Sequence, residues 1–131
     1  MRNIVLDTNV IISAALSPEG TPAKVMQTIV ANGELQLFYS TDILAEYKEV
    51  LARKKFNIAP DEQYGILSAI RIVGQATEPT PSDVPLPDED DRVFYDTAKS
   101  VGAILVTGNK KHYPNEAFIM TPAEYLHYIS A

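Results

Sequence analysis

The sequence predicts an α/β fold built on a parallel sheet, and three observations carry that reading. Short apolar runs of strand length recur along the chain: Ile4-Val5-Leu6, Leu35 to Phe38, Ala103 to Val106 and Phe118 to Met120. Amphipathic stretches of helical length separate them, and strands joined through helices pair in parallel with helices on both faces. Gly, Pro and capping residues punctuate each change of pattern.

Taken in order, Ile4-Val5-Leu6 reads as a buried strand ended by the polar Asp7-Thr8-Asn9. Val10 to Leu16 reads as a short helix stopped by Ser17-Pro18. A second helix starts with Thr21 as N-cap and Pro22 at the first helical position, and runs to Asn32 with Gly33 as its stop. The second strand is Leu35 to Phe38. Asp42 to Arg53 is a long helix closed by Arg53-Lys54-Lys55, basic residues that suit a helix C-terminus. Pro60 to Val73 follows as another, with Asp61 and Glu62 in its first turn. Glu78 to Pro87 holds prolines at 79, 81, 85 and 87, which forbid helix and favour an extended crossing loop. Asp91 to Val101 is helical and ends at Gly102; the strand Ala103 to Val106 comes next. Phe118 to Met120 is the fourth strand, and Thr121-Pro122-Ala123-Glu124 is a capping box that opens the last helix.

A chain of 131 residues, 46% hydrophobic and 21% charged, reads as one globular domain spanning 1–131. The absence of cysteine excludes disulfide scaffolds, cysteine-ligated zinc and cysteine nucleophiles. Two histidines, His112 and His127, leave little room for a histidine-rich metal site. Ile4 to Leu16 is interrupted by Asp7 and Asn9, unlike a signal segment, and falls short of the roughly 20 residues a bilayer span needs. The expectation is a cytoplasmic protein with no membrane contact. A net charge of −6 argues against a broad electrostatic grip on nucleic acid, although the acids are unevenly placed.

In open α/β sheets, ligands collect beyond the carboxyl ends of the strands. Asp7 stands there, directly after the first strand, as either a helix cap or a site acid. At 100° per residue from Ile43, Glu46 falls at about −60°, on the border of the apolar stripe of its helix. With Asp91 set at zero, the apolar positions of the next helix cluster near 270°, so Asp91 lies beside the buried stripe. Asp96, at about 140°, is expected to face away as a surface acid. The run Asp88-Glu89-Asp90-Asp91 is the strongest single feature, because a cap uses one carboxylate and four adjacent ones repel. Acids converging from distant segments suit hard divalent cations, which can activate water and steady a leaving phosphodiester oxygen. Thr107 and Asn109 are placed to orient water or complete a metal shell. Lys110 and Lys111 are placed to attract phosphate, or read equally well as a solvated basic pair.

The combination of LDTNVIISA from Leu6, STDILAEYKEVLARKKF around Glu46, DEDDRVFYDTA from Asp88 and AILVTGNKKHY from Ala103 resembles the PIN domain. More narrowly it is similar to the bacterial PIN toxins of toxin–antitoxin pairs, the VapC group. The resemblance covers nearly the whole chain. It implies a three-layer fold, with a central parallel sheet of four or five short strands flanked by helices. It also implies a ribonuclease that uses Mg²⁺ or Mn²⁺, with RNA as substrate, a cognate antitoxin as partner and a homodimer as assembly. By motif, Asp7, Glu46 and Asp91 match the three acids of the family, Thr107 and Asn109 the fourth corner, and Asn9 the polar partner of the first acid. Many members carry an acid where this chain has Asn109, or a further one where it has His112. A second metal would therefore draw on Asp88 or Asp90. Two rivals remain. A haloacid-dehalogenase-like phosphohydrolase needs an Asp where Asn9 stands. A PIN fold with a weakened acid set would bind RNA or protein without cutting.

Overall fold

The computed structural model describes residues 2–130. Its centre is β1 (Arg2–Leu6), where Ile4, Val5 and Leu6 are each at most 1% exposed. Burial on both faces explains why the run is continuously apolar rather than alternating. Parallel partners flank it: β2 (Leu35–Tyr39) pairs Leu37 with Ile4 on one side, and β4 (Ile104–Val106) pairs Val106 with Leu6 on the other. The sheet is completed by β3 (Gly74–Ala76) beside β2 and β5 (Ile119–Met120) beside β4, giving the order β3-β2-β1-β4-β5, parallel throughout.

The helices are α1 (Thr8–Leu16), α2 (Thr21–Ala31), α3 (Thr41–Leu51), α4 (Pro60–Val73), α5 (Arg92–Val101) and α6 (Pro122–Ser130). Their buried faces deliver Ile11, Val25, Ile43, Tyr47, Ile70, Phe94, Tyr95 and Tyr125 to one core with the strands. This is the α/β architecture expected, with the parallel sheet covered by helices.

Local differences from the sequence reading have local causes. The N-cap of α2 is Gly20, not Thr21: the extended Gly20 carbonyl already accepts Lys24 N at 3.2 Å, so Thr21 is the first helical residue. That helix stops at Asn32 rather than through Gly33, and the Asn32 side chain accepts Glu34 N at 2.9 Å. Asp7 caps α1, which begins two residues earlier than expected. Arg53 lies beyond the end of α3, and a 3₁₀ turn, Glu89–Asp91, precedes α5. Gly102 ends α5 in the left-handed region at φ 62°, where glycine carries no Cβ penalty. The capping box of α6 is reciprocal: Thr121 N donates to Glu124 Oε1 at 2.9 Å, and Glu124 N to Thr121 Oγ1 at 3.1 Å.

Candidate active site

From β1 the chain builds outward through β2 and β3, then returns to lay β4 and β5 on the opposite side. The order reverses between β1 and β4, so a crevice opens beyond their carboxyl ends. Asp7 follows β1 and Thr107 follows β4, and Asp7 N bonds to Val106 O at 2.9 Å across that crevice. The Asp7 carboxylate is 5% exposed. Its Oδ2 accepts from Thr107 Oγ1 at 2.9 Å and from the Tyr113 hydroxyl at 2.8 Å. Asn9 ties the same two strand ends, accepting Gly108 N on its Oδ1 at 2.9 Å.

Glu46 enters from α3. Ser40 caps that helix, and Tyr47, buried one residue on, donates its hydroxyl to Leu6 O and so fixes the helix against the end of β1. Glu46 accepts a hydrogen bond from the Thr8 hydroxyl, while Arg53 pairs directly with Glu49 at 2.7 Å and reaches Glu46 only as a weaker charge at a distance. Burial raises its carboxyl pKa; the Thr8 bond opposes this and the charge of Asp7 adds to it.

Asp91 comes from the turn before α5. Burial, and then the charges of Asp7, Asp88 and Glu46, push its carboxyl up to about 6, against a smaller opposing pull from His112. The imidazole Nδ1 of His112 lies 3.3 Å from Asp91 Oδ2. The charge of Asp7, just after β1, thus acts on Glu46 of α3 and on Asp91 before α5, and Glu46 acts on Asp91. Because its folded pKa lies above the unfolded value, Asp91 holds its proton more tightly in the native state. Its contribution to metal-free stability is therefore greatest below about pH 4 and is lost as pH rises through about 6. In EDTA, the melting temperature of the parent should fall relative to Asp91→Asn between roughly pH 4 and pH 7. A difference that stays constant over that range would show that Asp91 is not crowded.

Asp88 and Asp91 are set in place by the proline segment, which runs antiparallel to α5. Thr80 N donates to Ser100 Oγ at 2.8 Å, Ser82 N to Asp96 Oδ2 at 3.1 Å, and Leu86 N to Glu89 Oε2 at 3.4 Å. Val84 O accepts from Arg92 Nη2 at 2.6 Å. Two residues of extended chain advance about 6 Å and one helical turn about 5.4 Å, so alternate residues of the segment keep step with successive turns. At its other end, Glu78 accepts from Thr41 N at 3.1 Å and Thr41 Oγ1 at 2.7 Å, at the start of the helix that carries Glu46.

This segment overturns the expectation for Asp96. The residue is 4% exposed, not a surface acid, because the proline segment lies over the side of α5 that its own helical pattern leaves polar. Lys110, expected to attract phosphate, pairs with Glu124 at 3.2 Å. Asn109 reaches the site indirectly, with its Nδ2 at 2.9 Å from His112 Nε2 and its backbone N donating to Thr107 Oγ1 at 3.1 Å. Asp90 is exposed at the edge of a groove of about 540 Å³ that also takes in Thr8, Glu46, Val50, Phe56 and Asp91. Thr8, Tyr113 and His112 were not anticipated as participants. Thr8 was legible in the polar triplet after β1, whereas Tyr113 and His112 follow Gly108 in a stretch with no periodicity to orient them.

Among the described residues, one set of metal-ligating atoms closes to within 4.8 Å of one another: Asp88, Asp91 and His112. The Oδ2 of Asp91 is buried and accepts no hydrogen bond. A carboxylate oxygen kept from water without a donor is suited to a cation, so the site fits a divalent ion.

The sequence profile of the PIN domain family matches residues 3–111. The uncharacterized protein MJ1680 of Methanocaldococcus jannaschii is 31% identical over 110 residues, 82% of this chain and 70% of that protein. Among solved structures, PAE2754 from Pyrobaculum aerophilum is similar with a TM-score of 0.60 at 16% identity, covering 98% of this chain and 90% of its own. VapBC2 from Rickettsia felis, bound to a DNA fragment from their promoter, gives a TM-score of 0.56 at 17% identity, covering 90% of this chain and 96% of that chain. At these identities the structural likeness is one of fold.

Proposed function

The chain belongs to the PIN domain family, and from that premise we propose that it is a metal-dependent endoribonuclease, the toxin component of a toxin–antitoxin pair. One observation supports the reading: Asp7, Glu46 and Asp91 come from three distant segments, and the charge of Asp7 raises the pKa of both Glu46 and Asp91 while that of Glu46 adds to the rise at Asp91. These three would hold Mg²⁺ or Mn²⁺, with Asp88 beside them. When bound, the ion supplies Lewis-acid stabilisation of the phosphate and a water nucleophile.

The protein's own groups prepare that chemistry. Thr107 and Tyr113 hold the Asp7 carboxylate in one orientation, and Thr8 does the same for Glu46. Asn9 and Thr107 keep the ends of β1 and β4 at fixed separation, so the first acid does not drift from the groove. The groove would accept a strand of RNA: Arg53 and Phe56 line it, and Lys54 and Lys55, adjacent in sequence, add phosphate attraction despite the acidic total.

A protein partner is supported by large apolar side chains left exposed on helices, among them Ile72 at 82%, Tyr64 at 72%, Leu16 at 52% and Val30 at 51%. An antitoxin, a second copy in a homodimer, or both would cover them. No helix among the described residues is long and apolar enough to cross a membrane, which is compatible with cytoplasmic action on RNA.

A second reading, a non-catalytic PIN module that binds RNA or protein, is favoured by one fact: the tightest set of ligating atoms omits Asp7 and Glu46. Incubating the full chain with single-stranded RNA in Mn²⁺ and in EDTA separates the two. The parent should cut only with Mn²⁺. Glu46→Gln keeps the side-chain shape and should lower the rate about 100-fold or more, since one charge near a divalent ion is worth several kcal/mol at an effective dielectric near 20. RNA binding by the parent without cleavage would select the second reading.

A further inference from the structure

We propose that His112 is a nitrogen ligand of a metal position shared with Asp88 and Asp91, and that it turns the site towards Mn²⁺ and Co²⁺ and away from Mg²⁺. The inference deepens the reading above and rests on its claim that a divalent ion sits among these carboxylates.

Two turns far apart in sequence bring the three residues together, Glu89–Asp91 before α5 and Lys110–His112 after β4. Their ligating atoms lie within 4.8 Å of one another. The imidazole is aimed: its Nδ1 is 3.3 Å from Asp91 Oδ2, the buried carboxylate oxygen that accepts no hydrogen bond. Its other nitrogen is held as well, with Nε2 2.9 Å from the side-chain amide of Asn109. Metal-bound imidazoles characteristically have their second nitrogen fixed in this way, which sets ring orientation and tautomer. The atom set against Nε2 is Asn109 Nδ2; turning the amide over brings its oxygen to the ring, so that Nε2–H donates to it and the Nδ1 lone pair is free for an ion. Asn109 is anchored in turn, through its backbone N to Thr107 Oγ1 at 3.1 Å, and Thr107 donates to Asp7. The ring is thus coupled to the first acid of the site.

Two carboxylates and one imidazole form a mixed set. Mg²⁺ takes oxygen ligands and retains its waters, whereas imidazole suits the later first-row ions, whose affinity rises from Mn²⁺ to Co²⁺. The simpler alternative is a plain contact between His112 and Asp91 that has no part in metal binding.

Titration of the full chain with Co²⁺, Mn²⁺ and Mg²⁺, followed by calorimetry and by NMR of the imidazole resonances, distinguishes them. The chain has two histidines, so the exposed His127 is an internal control. With Co²⁺ the His112 ring should show the large contact-shifted resonances of a directly ligated imidazole, beyond the through-space broadening of a mere neighbour, and those of His127 should stay in place. His112→Ala should weaken Co²⁺ binding about tenfold or more and Mg²⁺ binding by less than about threefold. His112→Asp, which exchanges nitrogen for oxygen, should raise Mg²⁺ affinity relative to Co²⁺. His112 signals without contact shifts when Co²⁺ is bound, or equal losses for all three ions in His112→Ala, would overturn the ligand assignment while leaving the nuclease reading intact. Failure of the parent to bind any divalent ion would overturn both.

Discussion

Asp7→Asn is expected to reduce RNA cleavage at saturating Mn²⁺ by about 1,000-fold, with the melting temperature in EDTA equal to or above that of the parent. Asp7 stands at the switch point, 5% exposed, where its charge is poorly screened. Two unit charges 4 Å apart interact by about 4 kcal/mol at an effective dielectric of 20. A factor of ten in rate corresponds to about 1.4 kcal/mol, so removing the charge costs about three powers of ten. The apo fold loses little, because the amide oxygen of Asn can still accept from Thr107 and Tyr113. It gains from relief of repulsion, since the charge of Asp7 raises the pKa of both Glu46 and Asp91. An NMR titration gives an independent check: in the variant, Asp91 should titrate below about 6, closer to an ordinary carboxylate. Cleavage at the parent rate, or an unchanged Asp91 titration, would remove Asp7 from the site.

How much of this was legible in the sequence depends on what holds each element. The strands at β1, β4 and β5 could be read because a strand buried on both faces is continuously apolar, and β2 because Gln36 alone interrupts its apolar run. β3 could not, because Gly-Gln-Ala has no strand pattern and is placed by its partner. Gly74 registers with Leu37, and a Cβ there would come 2.5 Å from Ile70 O and 2.8 Å from the Tyr39 ring. The main-chain path, not side-chain burial, selects that residue. Asp7, Glu46 and Asp91 could be singled out because each sits at a strand end or on the border of a helical stripe. The contacts that Tyr113 and Lys110 make could not be read, because a turn without periodicity gives no direction to its side chains. Asp96 failed for a related reason. A helical wheel orients a residue within its own helix, and it is blind to a segment that arrives from elsewhere to cover the polar face.

That covering makes Asp96→Ala the substitution with the largest expected effect on stability. The carboxylate accepts from Ser82 N at 3.1 Å and from the Ser82 hydroxyl, and Arg92 Nη1 lies 3.5 Å away. The variant leaves the Ser82 donors without acceptors in a half-buried site. Each stranded donor costs about 1–3 kcal/mol, so a loss of about 3 kcal/mol and a fall of about 10 °C in melting temperature are expected. Asp96→Asn, which retains one acceptor oxygen, should fall by less. The damage should also reach the metal site, because Ser82 is the middle tie of the segment that ends at Asp88. Mn²⁺ affinity should drop severalfold in Asp96→Ala, and amide hydrogen exchange should accelerate at Ser82 and Leu86 before it does in β1. Ser100→Ala removes the tie at Thr80, the end away from Asp88, and should lower stability while leaving Mn²⁺ affinity near that of the parent. If Asp96→Ala melts within about 1 °C of the parent, the proline segment does not dock on α5 in solution. If it melts lower but binds Mn²⁺ as the parent does, the segment holds the fold together without positioning the carboxylates.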